Sequence, residues 1–122
     1  MDITPIIPAG RQLIKSYGDL GFTISGTRWD GSVLVFPERT LAWPPRNLAE
    51  VTEASLALVL AARPDLLLLG CGRGMGVVTA ALRAALRGGG VKLEIMDTGA
   101  ACRTYNVLLA EDRSVAAALI AV

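Results

Sequence analysis

The stretch DLLLLG at residues 65–70 constrains the fold of this chain most, because its run of leucines leaves no polar side to turn toward water. A strand that alternates polar and apolar residues can rest one face on a core, but an unbroken apolar strand needs cover on both. That is the pattern of a strand buried between helical layers in an α/β sheet. Its flanks supply the helices. Before it, Thr52 is placed as an N-cap, Glu53 sits in the electropositive first turn, and Val51 can staple onto Leu56 across the cap. Leu56, Val59 and Leu60 follow at helical spacing, and Pro64 disfavours helical geometry at Arg63. After it, Val78, Leu82 and Leu86 form an i, i+4 stripe that Gly88 to Gly90 terminate.

The remaining segments add strands and one more helix. VKLEIM (91–96) alternates Val91, Leu93 and Ile95 against Lys92, Glu94 and Met96, and Asp97-Thr98 offers capping oxygens to a third helix. Ala101, Cys102, Tyr105, Leu108 and Leu109 share a face of that helix, with Arg103 and Asn106 expected to lie away from it. SVAAALIAV (114–122) reads as a final strand whose direction the connecting turn leaves undetermined. In the first third, strands are expected at 13–17, 22–24, 27–29 and 32–36, behind an N-terminal arm over 1–12. Asp30-Gly31 has the residues of a type I′ hairpin turn, and Ser25-Gly26 can do a similar job. The expectation is therefore an antiparallel meander over 13–36, continuing near Leu41 until Pro44-Pro45 interrupts it.

At 122 residues with 52% apolar and 19% charged side chains, the chain is sized and composed for a single domain with its own core. The net charge is +1 with the cations dispersed, so no phosphate-backbone track and no nucleic-acid partner is expected. Histidine is absent, which removes Ser-His-Asp and Cys-His catalysis and histidine metal sites together. Cys71 and Cys102 are too few for a zinc site or a disulfide-stapled secreted domain, and a reducing cytoplasm is the expected home. No apolar segment approaches the ~20 residues of a membrane span, and the N-terminus lacks the pattern of a signal peptide.

Two segments carry candidate chemistry. GCGRGMG (70–76) invites comparison with a dinucleotide fingerprint, but Met75 and Val77 stand where either register of G-x-G-x-x-G needs its last small residue. LLGCGRG also looks like the first motif of S-adenosylmethionine-dependent methyltransferases, with Glu94 or Asp97 as the ribose ligand. Too little chain follows to build a methyl-acceptor site, so these glycines are expected to turn the chain and no cofactor is expected. MDTGAACRTYN (96–106) gathers a carboxylate, threonines, a thiol, a guanidinium, a phenol and an amide at a strand-to-helix junction, where backbone N–H groups attract ligands. Asp97, Thr98, Cys102, Arg103 and Asn106 are the candidate ligand- or partner-binding residues; no catalytic residue and no metal ligand is assigned. In the architectural alternative Asp97 and Thr98 cap, Cys102 and Tyr105 are core, and Arg103 is at the surface.

The order Ile14 to Tyr17, Phe22-x-Ile24-x-Gly26, Gly31-x-Val33-Leu34-Val35, Trp43, Gly70-Cys71-Gly72 and then Glu94-x-Met96-Asp97-Thr98-x-x-Ala101-Cys102-Arg103-Thr104-Tyr105-Asn106, followed by Ala117-Ala118-Leu119-Ile120, resembles the family of the mitochondrial complex I assembly factor 3 and its small prokaryotic relatives. The resemblance implies a three-layer α/β domain with a mixed central sheet, helices on both sides, an N-terminal β-hairpin packed on it, and a last strand antiparallel to its neighbours. It also implies a non-enzymatic interaction or assembly protein, whose partner would be respiratory complex subunits or another assembly factor, with homo-oligomerisation open. The alternative is a small-ligand-binding or enzymatic domain using the 97–106 junction.

Overall fold

The computed structural model describes residues 10–74 and 76–122. The arm expected over 1–12 therefore lies outside the described residues up to residue 9. Eight strands and three helices follow: β1 (Ile14–Gly18), β2 (Gly21–Ile24), β3 (Thr27–Asp30), β4 (Val33–Phe36), β5 (Arg39–Ala42), α1 (Ala57–Ala62), β6 (Leu66–Gly70), α2 (Ala80–Gly88), β7 (Lys92–Met96), α3 (Thr98–Ala110) and β8 (Val115–Leu119). They build a three-stranded meander, β1-β2-β3, and a five-stranded mixed sheet in the order β5-β4-β8-β6-β7.

The leucine run behaves as its composition requires. Leu67 and Leu69 pack on one side of the large sheet with α1, α2 and Trp43, while Leu68 packs on the other with α3 and the meander residues Ile14, Phe22 and Ile24. Three layers result, with helices on both sides. β8 is buried along its whole length. Its alanines 116, 117 and 118 keep the sheet thin where both helical layers press on it. This last strand is antiparallel to β4, as expected, but parallel to β6. The helix between β7 and β8 returns the chain to the starting end of the sheet, so a strand entered from α3 runs with β6 and β7.

The meander ends earlier than expected. Asp30-Gly31 does not close a hairpin between β3 and β4. Asp30 still pairs with Gly21, and β4 pairs with β5 and β8 in the other sheet. Gly31, at φ 86°, is where the chain passes between sheets. β4 is buried on both faces, a demand that only the centre of the large sheet meets. The true two-residue hairpins are Asp19-Leu20 and Ser25-Gly26, each with positive φ at both positions. Leu20 is an unusual occupant of that conformation. Its backbone is tied at both ends: its N–H donates to the Val122 carbonyl at 2.8 Å, and its carbonyl accepts from Gly31 N–H at 2.8 Å.

Local end signals are largely as expected. Thr52 Oγ1 accepts from Ser55 N–H at 3.1 Å while Ser55 Oγ accepts from Thr52 N–H at 2.9 Å, a reciprocal pair of bonds. That pair ties the Thr52–Ser55 turn, but Thr52 is not the helix N-cap expected of it: the 3-10 turn Ala54–Leu56 has Glu53 as its N-cap and α1 has Leu56, neither with a side-chain cap bond. Arg63, ahead of Pro64, closes α1 in the left-handed region at φ 49°. Val78 precedes α2 rather than lying in it, yet packs on the core.

Candidate functional site

β6, β7 and β8 are mutually parallel, so their C-terminal ends share one end of the large sheet, and α3 starts there. Asp97 is the N-cap of α3, its Oδ1 accepting from Ala100 N–H at 2.9 Å. Thr98 is fully buried and sews three strand ends together. Its Oγ1 accepts from Gly72 N–H at 3.0 Å and donates to the Ile120 carbonyl at 2.7 Å, while its own N–H donates to the Gly72 carbonyl at 2.8 Å. Glycine at 70 eases this approach: a Cβ there would lie 3.0 Å from Thr98 Cα and 3.0 Å from Leu119 Cδ2, so its neighbours would have to give way.

The other candidates diverge from this point. Cys102 faces the core, and burial pushes its thiol from the ordinary 9.0 up to about 12, against the smaller opposite pull of the Arg103 charge. A thiol so placed is protonated at neutral pH and is neither a good nucleophile nor a metal ligand. Arg103 lies on the exposed side of α3, its Nη1 donating to Tyr17 Oη at 3.1 Å. Asn106 departs from its expected outward position. Its Nδ2 donates to the Ile14 carbonyl at 2.7 Å and its Oδ1 accepts from Ile14 N–H at 3.0 Å, so the side-chain amide pairs with β1 as another strand would. The amide is complementary to an unpaired backbone N–H and C=O, and the outer edge of β1 presents both.

Asp97, Thr98, Cys102, Arg103 and Asn106 are therefore neighbours along one helix whose side chains do not converge on one point. A cleft of about 430 Å³ opens at the same end of the sheet, but Leu20, Asp30, Ser32, Arg46 and Ala121 contribute to its lining and the five candidates do not. The glycine segment is likewise a connector. Cys71 Sγ donates to the Gly74 carbonyl at 2.8 Å, and the next helix begins only at Ala80 with Thr79 as its cap. A dinucleotide turn needs its helix N-terminus directly behind the glycines to meet the pyrophosphate. Among the described residues no group of histidine, cysteine, aspartate or glutamate could hold a metal ion. Nor is any described helix long and apolar enough to cross a membrane.

Tyr17 adjoins the start of α3 although nothing in the sequence announces it. Its hydroxyl sits over buried Gly99, where a Cβ would lie 2.5 Å away, and it accepts from Arg103. With Val107 one turn beyond Arg103, it makes an outward surface in which an aromatic ring, a guanidinium and an exposed valine adjoin. Tyr17 is 42% and Val107 59% exposed.

Comparison with known proteins gives a family model, a protein of unknown function (DUF498/DUF598), matching residues 14–120. The rat NADH dehydrogenase [ubiquinone] 1 alpha subcomplex assembly factor 3 is 34% identical over 109 residues, covering 88% of this chain and 59% of that protein. An uncharacterised protein of Rhodobacter capsulatus is 36% identical over 92% of this chain and 86% of its own length. Among solved structures, a Bartonella henselae protein described as an outer membrane protein superposes with a TM-score of 0.86 at 35% identity, covering 95% of this chain and 98% of that one. The chain thus spans about 59% of the length of the mitochondrial relative it matches.

Proposed function

The chain belongs to the DUF498/DUF598 family of proteins of unknown function, and from that premise we propose that it is a non-enzymatic protein-interaction factor serving assembly of respiratory complex I. Its partner is a subunit of that complex or a second assembly factor. One observation carries the reading: the polar groups of the 97–106 junction are engaged within the fold. Asp97 caps, Thr98 joins strand ends, Asn106 holds β1, and Cys102 is a buried neutral thiol. What they leave outward is the Tyr17, Arg103 and Val107 surface. Tyrosine and arginine are the residues that dominate binding energy where proteins meet. The complex I role draws on the rat relative, which is named as an assembly factor of that complex. A reducing cytoplasm fits Cys71 and Cys102 as free thiols.

The test is affinity capture of the tagged chain from its own host with identification of the co-purifying subunits. Complex I subunits are expected with the wild type and lost with Tyr17→Ala/Arg103→Ala, while the melting temperature hardly moves. Capture without any respiratory subunit would overturn the complex I role. Iodoacetamide labelling mapped to Cys102 at the rate of a free thiol would overturn the non-enzymatic reading, since the thiol would then be ionised and open.

A further inference from the structure

Among the described residues the large sheet stops at β7, which pairs with β6 and has no strand on its other side. The direction of its backbone groups follows from two bonds. Lys92 N–H donates to the Asp65 carbonyl at 3.1 Å and the Met96 carbonyl accepts from Cys71 N–H at 2.9 Å, so Lys92, Glu94 and Met96 point their backbone toward β6. Leu93 and Ile95 alternate with them and aim their N–H and C=O groups outward, the arrangement that accepts an added strand.

A cleft of about 340 Å³ lies against the beginning of this edge, lined by Arg83, Arg87, Gly90, Val91, Lys92 and Leu93. Arg83 and Arg87 are one turn apart on the exposed side of α2. Among the described residues neither arginine has an ion-pair partner, and Lys92 has only Glu94, at 3.9 Å. In a chain of net charge +1 the two arginines are a local concentration of cations on the α2 side of β7, set beside unpaired backbone, while the Lys92 side chain alternates to the other face beside Glu94.

We propose that the open edge of β7 and the Arg83 and Arg87 cleft together form a docking site for an acidic, extended segment of a partner protein. The segment adds as a further strand, with main-chain bonds to Leu93 and Ile95 giving affinity and its carboxylates meeting the arginines to set which strand is accepted. A small anion would use the cations and leave the outward amides unpaired. A second copy joined edge to edge about a two-fold at Glu94 would set Glu94 against Glu94, a like-charge pair directly opposite, whereas a two-fold at Leu93 would set Lys92 against Glu94, so a second copy on this edge is an outcome that the test distinguishes. The inference rests on the protein-interaction reading above and supplies the partner chemistry for a surface separate from Tyr17 and Arg103.

The probe is a blocked peptide alternating Glu with Val, with a Lys-Val counterpart and inorganic triphosphate as controls. The Glu-Val peptide is expected to bind with salt-sensitive affinity, slow hydrogen exchange at Leu93 and Ile95, and lose roughly tenfold in affinity to Arg83→Glu/Arg87→Glu. The Lys-Val peptide should not bind. Peptide binding that leaves those two amides exchanging as before, or triphosphate binding as tightly as the peptide, overturns strand addition. A dimer in sedimentation whose Leu93 and Ile95 amides are already protected assigns the edge to a second copy and also overturns it. If Arg83→Glu/Arg87→Glu still captures complex I subunits but the wild type ignores the peptide, this site falls and the assembly role stands. If the peptide docks as described and no respiratory subunit is ever captured, the site stands and the complex I role falls.

Discussion

Replacing Thr98 with valine keeps the side chain's shape and removes only its hydroxyl, which isolates what that oxygen does. In the wild type the oxygen accepts from Gly72 N–H at 3.0 Å and donates to the Ile120 carbonyl at 2.7 Å, at a fully buried position. Valine leaves one donor and one acceptor facing a methyl group, away from water. Each unsatisfied buried group costs about 1–3 kcal/mol, so Thr98→Val should destabilise by roughly 2–6 kcal/mol. Thr98→Ser keeps both bonds and loses one buried methyl, a loss of about 1 kcal/mol. The order is the point: the smaller, cavity-forming change should be the milder one. Urea unfolding followed by far-UV circular dichroism reads both, with an unchanged m-value showing that the midpoints can be compared. Thr98→Val within about 0.5 kcal/mol of wild type, the range of an ordinary surface change, would refute the claim that this hydroxyl ties the three strand ends. So would a serine variant weaker than the valine one.

Asn106→Ala should cost about 2 kcal/mol, because Ile14 loses partners for both backbone groups; hydrogen exchange at the Ile14 amide should rise most, and a uniform rise across the chain would refute a local tie. Gly31→Val should cost about 1–3 kcal/mol through backbone strain alone, since φ there is 86° and open space surrounds the added Cβ; wild-type melting would refute the need for positive φ between the sheets. Alkaline conditions should weaken the fold by a mechanism with a definite sign. Above the ordinary 9.0 the unfolded chain releases the Cys102 proton that burial retains up to about 12. The thiol's contribution is therefore complete below 9.0 and is lost across that window, at up to about 1.4 kcal/mol per pH unit. Burial raises the Tyr105 phenol too, so it adds to the loss above its ordinary 10.0. Urea midpoints should fall across the window and fall less steeply in Cys102→Ala; a flat wild-type profile would refute the assignment.

The sequence by itself determined whatever depends on neighbours a few residues apart. The apolar run at 66–69 demanded cover on two sides and received it. Asp97 was legible as a cap, and Thr52 as the oxygen that bonds the Ser55 N–H, because such a bond needs an oxygen and an N–H only three residues apart. The inward stripe of Ala101, Cys102, Tyr105 and Leu109 followed from helical spacing. Only the tertiary structure decided how 13–36 is divided. Asp30-Gly31 carries the residues of a hairpin turn, and its local chemistry is satisfied equally by a passage between sheets; what settled it was the pairing of Val33 with Leu119 far along the chain. Asn106 looks like an outward polar residue until β1 brings Ile14 within its reach, and Arg103 has no visible partner until the same strand delivers Tyr17. Thr98 is one capping residue among others until the ends of β6 and β8 close around its hydroxyl. A polar side chain's role is set by which unsatisfied backbone or side-chain group arrives beside it, and that arrival belongs to the pairing of strands distant in sequence.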